Sequence, residues 1–538
     1  MGEGWVGGNF QVIQFNQSLK KCYLNCEEIH RNRDQRVPHR KESFSSKVLI
    51  NFDLKKITYM KNIKLLVPAL FFILLGCRTS SDFSQVLEDL QENFDLGNLS
   101  TVIQISDSLN KIKGENKKVV HTADSMKQIA ERINIDFSLT EDQIVKQIEK
   151  LSGPVSSVEK SAWEKEGWLE FRMIDGEKKY FKRAASNLML IKKFHEQKEK
   201  SQSETWKDPA MIFRLNHTGE VLKSSDSQNR PVVPVKMNIS YTITVHPDVV
   251  PEGEKIRCWL PWPKEGLPRQ KEIKLISTSV PEYLIAPDTA THSTIYMEAV
   301  SKKGTPTIFQ ISFDYMAEAQ HYNMPDIKIL PYDKTSTNYL KYTSEQLPHI
   351  CFTDKVKQLA DSITGNDIDP ASIVRKIYLW FKDNIPWAGA LEYSIIPNIP
   401  EYVIQYKRGD CGMQTFLFMS MLRYKGIPVR WQSGWMMPPD NENLHDWSEV
   451  YFEGTGWIPV DVSYDLQNSA NPLLKYFYLS GVDSYRLILN QGVGGPLHPE
   501  KHYMRSEPND FQRGEVEWKG GNLYFDKWDY DMKIGYVK

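Results

Sequence analysis

Cysteine is scarce in this chain, with six residues among 538. Six scattered thiols are too few for the disulfide framework that stabilises many small secreted domains. A surplus of one charge is also missing, because 67 basic residues face 68 acidic ones and leave a formal net charge of −1. Proteins that bind nucleic acid through phosphate contacts are basic, so this class is excluded and no nucleic-acid partner is expected.

Biased composition is absent as well, since hydrophobic residues make up 41%, charged residues 25% and aromatic residues 12% of the chain. These values are typical of globular proteins and exclude a disordered or collagen-like chain. At about 150 residues per domain, the length predicts three or four domains. We expect an α+β multidomain protein with a helical N-terminal region, a β-sandwich and a β-rich C-terminal tail.

A short apolar run, residues 65–75, follows Lys61 and Lys64. Eleven residues cannot span a bilayer as a helix, which needs about 20, but a basic start and a short apolar stretch are typical of a secretory signal peptide. The run leads into Leu-Leu-Gly and then Cys77, which resembles the lipobox of bacterial lipoproteins. The resemblance implies that residues 60–76 are a lipoprotein signal peptide and that Cys77 is acylated. We therefore expect a membrane-anchored protein of the cell envelope, on the periplasmic face of the outer membrane or on the cell surface.

Residues 1–59 show no sustained helical or strand period. Because a signal peptide begins near its own methionine, we interpret them as an over-called N-terminus and Met60 as the true start. The mature chain is then mildly acidic. Its internal cysteines are Cys258, Cys351 and Cys411, an odd number that indicates a free thiol in an exported protein.

Three further segments precede the part of the chain that carries chemistry. Residues 77–200 are polar with apolar residues at helical spacing, and predict a mainly helical spacer with one hairpin turning at Asp175-Gly176. Residues 201–234 are predicted to be a linker. Residues 235–330 alternate apolar and polar side chains in several short runs, which predicts a β-sandwich domain.

Cys411 lies at the predicted start of an apolar helix. Asp410 is a suitable N-cap residue, while Gly426 and Pro428 end the helix. The unpaired N–H groups of a first helical turn stabilise a thiolate, so we expect a lowered pKa for Cys411. The alternative is an inert, buried cysteine, the common fate of an isolated one.

A predicted β-hairpin downstream supplies a base and its partner. Its first strand carries His445, Trp447 and Tyr451 on one face, and its second strand ends at Asp461. Pairing the aliphatic faces of the two strands places His445 and Asp461 on the same side of the sheet. A thiolate nucleophile needs such a base with an orienting group.

Three blocks, residues 409–428, 445–450 and 456–461, together resemble the transglutaminase-like superfamily. The resemblance covers about residues 350–480 and implies a catalytic domain at 331–480, followed by a β-rich extension at 481–538. It also implies a papain-like core with Cys411 as nucleophile, His445 as general acid and base, and Asp461 as the residue that orients the histidine.

The surroundings of this triad are less well determined by the sequence. The backbone N–H of Cys411 is the expected oxyanion donor, and Trp387 is the candidate for a second donor, although an indole at a helix end often only packs. Trp447 and Tyr451 are expected to line the cleft and Asp446 to face solvent. We expect no metal site and no cofactor.

The predicted activity is that of an exported cysteine hydrolase that cleaves a peptide or isopeptide-type amide through a Cys411 thioester. Its partner would be a peptide or protein substrate. Two alternatives stay open: protein-glutamine transamidation by the same three residues, in which an amine replaces water, and a non-catalytic binding protein of the cell envelope.

Overall fold

The computed structural model describes residues 80–111, 117–199 and 208–537. The proposed N-terminal extension, the signal peptide and Cys77 lie outside these ranges. The helices are α1 (Ser80–Asp95), α2 (Leu99–Lys111), α3 (Lys117–Asp136), α4 (Glu141–Ser152), α5 (Ser157–Lys165), α6 (Ala184–Glu199), α7 (Pro209–Ser224), α8 (Thr337–Thr343), α9 (Asp354–Thr364), α10 (Pro370–Asn384), α11 (Ile399–Tyr406), α12 (Cys411–Tyr424) and α13 (Pro472–Lys475). No helix within the described ranges is long and apolar enough to cross a membrane.

The strands are β1 (Phe171–Ile174), β2 (Glu177–Tyr180), β3 (Val232–Val245), β4 (Lys255–Pro261), β5 (Gln270–Thr278), β6 (Tyr283–Ile285), β7 (Thr294–Val300), β8 (Thr307–His321), β9 (Val429–Met436), β10 (Asn443–Phe452), β11 (Gly456–Val460), β12 (Gly481–Val482), β13 (Arg486–Asn490), β14 (Glu515–Trp518), β15 (Gly521–Leu523) and β16 (Trp528–Val537). Single 3-10 turns lie at Met324–Asp326, Tyr393–Ile395 and Phe477–Leu479. The expected mixture of helices with several sheets, an α+β multidomain fold, is confirmed.

The first of two compact units contains α1, α2, α3 up to Glu131, and the turn Ile174–Gly176. Its α2 buries apolar residues at helical spacing, namely Leu99, Val102 and Leu109. The Ser106 hydroxyl on the same face donates to the carbonyl oxygen of Ala123 in α3 at 3.0 Å. The apolar residues at helical spacing, which the sequence predicted for this stretch, are therefore the ones that pack the helices of this unit together.

The second unit contains residues 132–173 and 177–537, which corrects two expectations. Residues 132–199 belong to the same unit as the catalytic sequence blocks and are not a spacer. Helix α7 occupies residues 209–224 of the segment 201–234 that was predicted to be a linker. Asp208 caps it by accepting from the Ala210 N–H at 2.9 Å, and Pro209 takes its first turn. The segment was predicted to be a linker because it is polar, although it contains an N-cap residue followed by a proline, which is a pattern typical of a helix start.

The hairpin of β1 and β2 turns at the predicted dipeptide. Asp175 has φ 49° and Gly176 has φ 81°, so both central residues are left-handed. This conformation suits the twist of two-residue hairpins and favours Asp-Gly. The sequence prediction of a turn at Asp175-Gly176 is confirmed.

Two five-stranded sheets face each other across an apolar core. One has the order β12-β8-β3-β16 with β5 also paired to β8, and the other has the order β15-β14-β4-β7-β6. The period-two pattern of β3 buries one face, formed by Met237, Ile239, Tyr241, Ile243 and Val245. Strands β14 and β16, from the C-terminal tail, pair with β4 and β3. These strands of the tail therefore complete the β-sandwich.

A four-stranded antiparallel sheet of order β11-β10-β9-β13 carries the downstream sequence blocks. Helix α12 packs against β9 and β10. Asp410 caps it by accepting from the Met413 N–H at 3.0 Å, and Gly426 with φ 74° follows its end. Every residue of α12 from Cys411 to Arg423 is buried, as the apolar sequence predicts.

The close approach of β9 and β13 at Gly434 generates a stability prediction. A Cβ atom at Gly434 would lie 2.0 Å from the backbone oxygen of Leu487, so Gly434→Ala must separate the two strands. We expect the free energy of unfolding to fall by about 3 kcal/mol, measured by urea denaturation. Gly535→Ala in β16 is the matched control, because its new Cβ would meet nothing closer than 3.7 Å. Equal effects of the two substitutions would contradict the prediction.

Candidate active site

The loop before α12 is held rigidly, which fixes the position of Cys411 as the first residue of the helix. The N–H of Gly409 donates to Pro386 O at 3.3 Å, and the N–H of Ala388 donates to Gly409 O at 3.2 Å. The Tyr393 hydroxyl donates to Asp410 Oδ1 at 2.7 Å. The sulfur-bearing residue thus starts the helix on a well-connected turn.

Gly412 is required directly after the nucleophile position. A Cβ atom there would lie 2.1 Å from the Tyr393 hydroxyl oxygen and 2.6 Å from Asp446 Oδ2. Any side chain at this position would displace both groups. The Cys-Gly pair of the sequence therefore reflects the tight packing around the thiol.

His445 and Asp461 are brought together by neighbouring strands. The Nε2 atom of His445 lies 2.6 Å from Asp461 Oδ2, and both residues are buried, at 5% and 3% exposure. Ser463 also donates to Asp461, through its N–H at 3.2 Å and its hydroxyl at 2.9 Å, both to Oδ1. Because Nε2 is engaged by the carboxylate, Nδ1 is the ring nitrogen left to exchange a proton with a nucleophile.

Arg486 extends this pair, and the sequence analysis missed it. Its Nη1 atom lies 3.0 Å from Asp461 Oδ2 and its Nε atom 3.1 Å from Asp483 Oδ2. The guanidinium is 1% exposed and its carbon lies 4.5 Å from the centre of the Tyr464 ring. The only sequence signal was a lone arginine at the start of an apolar strand three residues after an aspartate.

Electrostatics set the ionisation of the pair. Burial alone would raise the pKa of Asp461, but His445 and Arg486 outweigh burial and hold the pKa of this carboxyl well below its usual range. Burial lowers the pKa of His445, and the attraction of Asp461 offsets only part of that. The resting arrangement is therefore a neutral imidazole on an ionised carboxylate.

The thiol of Cys411 contacts a different carboxyl group. Its Sγ donates to Asp446 Oδ2 at 3.5 Å, and within the described residues no hydrogen bond joins it to His445. Burial raises the pKa of the Cys411 thiol well above its ordinary value, and Asp446 and Asp410 raise it further. The expectation of a lowered thiol pKa is therefore wrong for this resting state. Asp446, expected to face solvent, is 2% exposed.

Trp447 and Tyr451, expected to line the cleft, do not. Trp447 is 1% exposed, and its indole donates to Gln432 Oε1 at 2.9 Å. It therefore belongs to the buried packing around the site. The Tyr451 ring packs on Trp457 at 5.2 Å between centroids. It lies six residues along β10 from His445, which is about 20 Å at the usual strand rise. Strand alternation predicted which residues share a face of β10. It did not predict which of them are accessible to a ligand.

Trp387, the candidate second oxyanion donor, lies beside the nucleophile loop. It forms an isolated parallel bridge with Gly409, two residues before Cys411, and is 39% exposed. The backbone therefore places Trp387 next to the loop that leads into Cys411. Its role as a donor stays a prediction.

Residues that precede the β-sandwich in the chain form hydrogen bonds and an ion pair with the loops before Cys411. The sequence did not indicate these contacts. Arg408 forms a buried ion pair with Glu170 at 2.7 Å and also donates to the carbonyl oxygen of Gly167. Asn187 on α6 makes two hydrogen bonds to the backbone of Gly389, both at 2.8 Å. The segment 132–199 is thus a structural part of the site.

A cavity of about 200 Å³ lies beside Tyr464. It is bordered by α7 on one side and by Tyr464, Tyr478 and Tyr485 on the other. The Tyr464 ring also packs edge-on against His445, with 5.0 Å between centroids. Within the described ranges, no three His, Cys, Asp or Glu side chains are grouped so as to hold a metal ion.

The buried guanidinium generates a stability prediction. Arg486→Met leaves Asp461 and Asp483 without their shared cation in a dry environment. We expect the free energy of unfolding near neutral pH to fall by about 3 kcal/mol, measured by urea denaturation. Arg230→Met is the control, because Arg230 and Asp226 form an exposed pair worth about 1 kcal/mol or less.

The same variant shifts the acid limb of stability. The pKa of Asp461 is depressed in the folded protein, so its contribution is present above the unfolded value of about 3.9 and is lost as pH falls through the lower folded value. Removing Arg486 raises the folded pKa, so acid unfolding should begin at higher pH. An unchanged acid midpoint would show that Arg486 does not hold this carboxylate ionised.

Comparisons with known proteins address the same part of the chain. YebA of Bacillus subtilis is 27% identical over 173 residues, 28% of this chain and 23% of YebA, so the alignment spans less than a quarter of that relative. A candidate cysteine protease from Cytophaga hutchinsonii aligns with a TM-score of 0.39 at 15% identity, over 57% of this chain and 91% of its own. The periplasmic domain of TgpA from Pseudomonas aeruginosa aligns with a TM-score of 0.22 at 15% identity, over 42% and 88%.

One family model matches, that of the transglutaminase-like superfamily, over residues 357–462. The matched range contains the capped cysteine helix and the paired histidine and aspartate. It supports a papain-like hydrolase or transamidase in general. The chain therefore contains a domain of the transglutaminase-like superfamily at residues 357–462.

Proposed function

We propose that this protein is a cysteine hydrolase that cleaves a peptide or isopeptide-type amide through a thioester on Cys411. The observation that carries the proposal is the His445–Asp461 pair at 2.6 Å, in the same domain as a helix that begins at a cysteine. A thiol at a helix start, an imidazole and an orienting carboxylate are the parts that nucleophilic acyl transfer needs.

The reaction follows from these roles. Asp461 holds Nε2, so Nδ1 of the neutral His445 takes the proton of Cys411 as the sulfur attacks the amide carbonyl. The imidazolium then protonates the leaving amine, and the C–N bond breaks to leave a thioester. Water loses a proton to His445, attacks the thioester, and releases the acid and the thiol.

The oxyanion formed in both halves of the reaction needs donors. The N–H of Cys411 has no partner within its own helix, because it lies in the first turn, and it would be one donor to the developing charge. Trp387 would supply the second donor from the neighbouring loop.

Product analysis tests this activity. Incubating the protein with a peptide library and a primary amine probe should yield hydrolysed peptides by mass spectrometry. Cys411→Ala should abolish turnover, and Asp461→Asn should lower kcat by roughly 10³- to 10⁴-fold because the imidazole loses its orientation. Arg230→Met is the control that should keep full activity.

The alternatives give different products. Incorporation of the amine into glutamine peptides, with little hydrolysis, would replace the hydrolase by a transamidase. Unchanged biological activity of Cys411→Ala would show that the domain acts by binding and would contradict both enzymes.

We also propose that the protein is attached to the cell envelope by acyl chains on Cys77, as its lipobox-like sequence indicates. One acyl chain binds membranes only marginally, whereas several give durable attachment. Metabolic labelling with a fatty-acid probe should mark the wild type and leave Cys77→Ser unlabelled. A labelled Cys77→Ser variant would show that the anchor is elsewhere.

A further inference from the structure

Asp446 is the side chain in contact with the sulfur, and no role in the proposed reaction has been assigned to it so far. Asp446 directly follows His445 on β10, and its side chain contacts Cys411 at the start of α12. Its Oδ2 atom lies 3.5 Å from Cys411 Sγ, and the residue is 2% exposed. A carboxyl group touching a reacting atom affects that atom differently in its two protonation states.

Gln512 determines which oxygen of this carboxyl can carry a proton. Its Nε2 donates to the backbone oxygen of His445 at 2.9 Å and to Asp446 Oδ1 at 2.8 Å. A backbone oxygen can only accept, so the orientation of the Gln512 amide is fixed. Oδ1 is then an acceptor, and a proton on Asp446 would lie on Oδ2, which faces the sulfur.

The loop that carries Gln512 is itself firmly attached. The indole of Trp435 donates to Gln512 O at 2.9 Å, and the Gln512 N–H donates to Glu507 Oε2 at 2.8 Å. Both the backbone and the side chain of Gln512 are therefore held by hydrogen bonds. This C-terminal segment positions Asp446 from behind.

The ionisable groups around Asp446 are mostly acidic. They come from α12 and the loop before it, from the 3-10 turn, from the C-terminal segment and from β10 itself, and are Asp410, Cys411, Tyr393, Glu507, Asp510 and His445. Arg513 is the nearby cation, and its ion pairs go to Glu392 and Glu507. Within the described residues, no lysine or arginine forms an ion pair with Asp446.

An anionic Asp446 would be a buried charge without a counter-ion, which is costly. Burial raises the pKa of Asp446 well above its usual range, and the charges of Asp510 and Asp410 raise it further. Burial likewise raises the pKa of Asp510. Burial and the lack of a paired cation among the described residues both favour the neutral acid of Asp446.

We propose that Asp446 is a further catalytic residue, which as a neutral acid donates a hydrogen bond to the Cys411 sulfur, and which on ionisation holds the thiol protonated. In the resting site the thiol donates to Oδ2. When the thiol proton moves to His445 Nδ1, the proton of Asp446 remains bonded to Oδ2. The Oδ2–H group then donates a hydrogen bond to the new thiolate. Once Asp446 is ionised, the same oxygen repels the thiolate. The inference rests on Cys411 being the nucleophile of the proposed function.

The test measures the reactivity of the sulfur and needs no substrate. Full-length wild type, Asp446→Asn and Asp446→Leu are alkylated with iodoacetamide from about pH 6 to pH 10, on both sides of the ordinary thiol pKa. The rate is followed on the Cys411 peptide by mass spectrometry, so that Cys258 and Cys351 do not contribute. Asp354→Asn, whose side chain is 92% exposed, is the control for loss of one carboxyl.

The asparagine variant matches the proposed hydrogen bonds, because its oxygen accepts from Gln512 and its N–H donates to the sulfur. At the acidic end we expect Asp446→Asn to react within about twofold of wild type, and Asp446→Leu about tenfold more slowly, for loss of a hydrogen bond to an anion. At the alkaline end Asp446→Asn should exceed wild type by about tenfold, because it cannot ionise.

Two results would overturn the inference. If both variants react faster than wild type at the acidic end, Asp446 is already a repelling anion there. If Asp446→Asn and wild type coincide at the alkaline end, ionisation of Asp446 does not affect the sulfur. The asparagine comparison decides even if the leucine variant fails to fold. A lack of amide hydrolysis would count against the proposed function alone, since these rates do not depend on turnover.

Discussion

The guanidinium of Arg486 lies in the interior of the second unit, between the carboxylates of Asp461 and Asp483, and it is the group on which the histidine depends. Burial favours the protonated acid of Asp461, whereas His445 and Arg486 oppose burial and hold the pKa of this carboxyl well below its usual range. A protonated Asp461 could not hold His445 Nε2 as an acceptor. The order of the sheet makes this arrangement possible, because β13 carries Arg486 to the same layer as the hairpin with His445.

The thiol side of the site shows two opposing effects, whose magnitudes decide the outcome. A helix N-terminus stabilises an adjacent anion by up to about 2 kcal/mol, which is about 1.5 pKa units. Desolvation of a fully buried group shifts its pKa by up to about 3–5 units. Cys411 is 8% exposed and faces Asp446 as well as Asp410, so burial and the carboxyls prevail and raise its pKa.

The site is assembled from segments that are far apart in the chain. Glu170 and Asn187 hold the loop before the nucleophile, and Gln512 holds the strand with the histidine. Residues 132–199 and the C-terminal tail are therefore structural parts of the candidate site, although neither lies within the family match at 357–462.

Local sequence determined the features that depend on neighbouring residues. Asp410, Cys411 and Gly426 define the capped helix because caps act within one turn, and strand alternation places His445 and Asp461 on one side of the sheet. The Asp175-Gly176 turn and the buried face of β3 follow for the same reason. Tertiary structure alone decided the roles of Arg486, Asp446 and Gln512, because the contacts that define these roles join residues 25 to 66 positions apart. It also decided the ionisation of Cys411, because the pKa of a buried thiol depends on its exposure and on the charges packed around it.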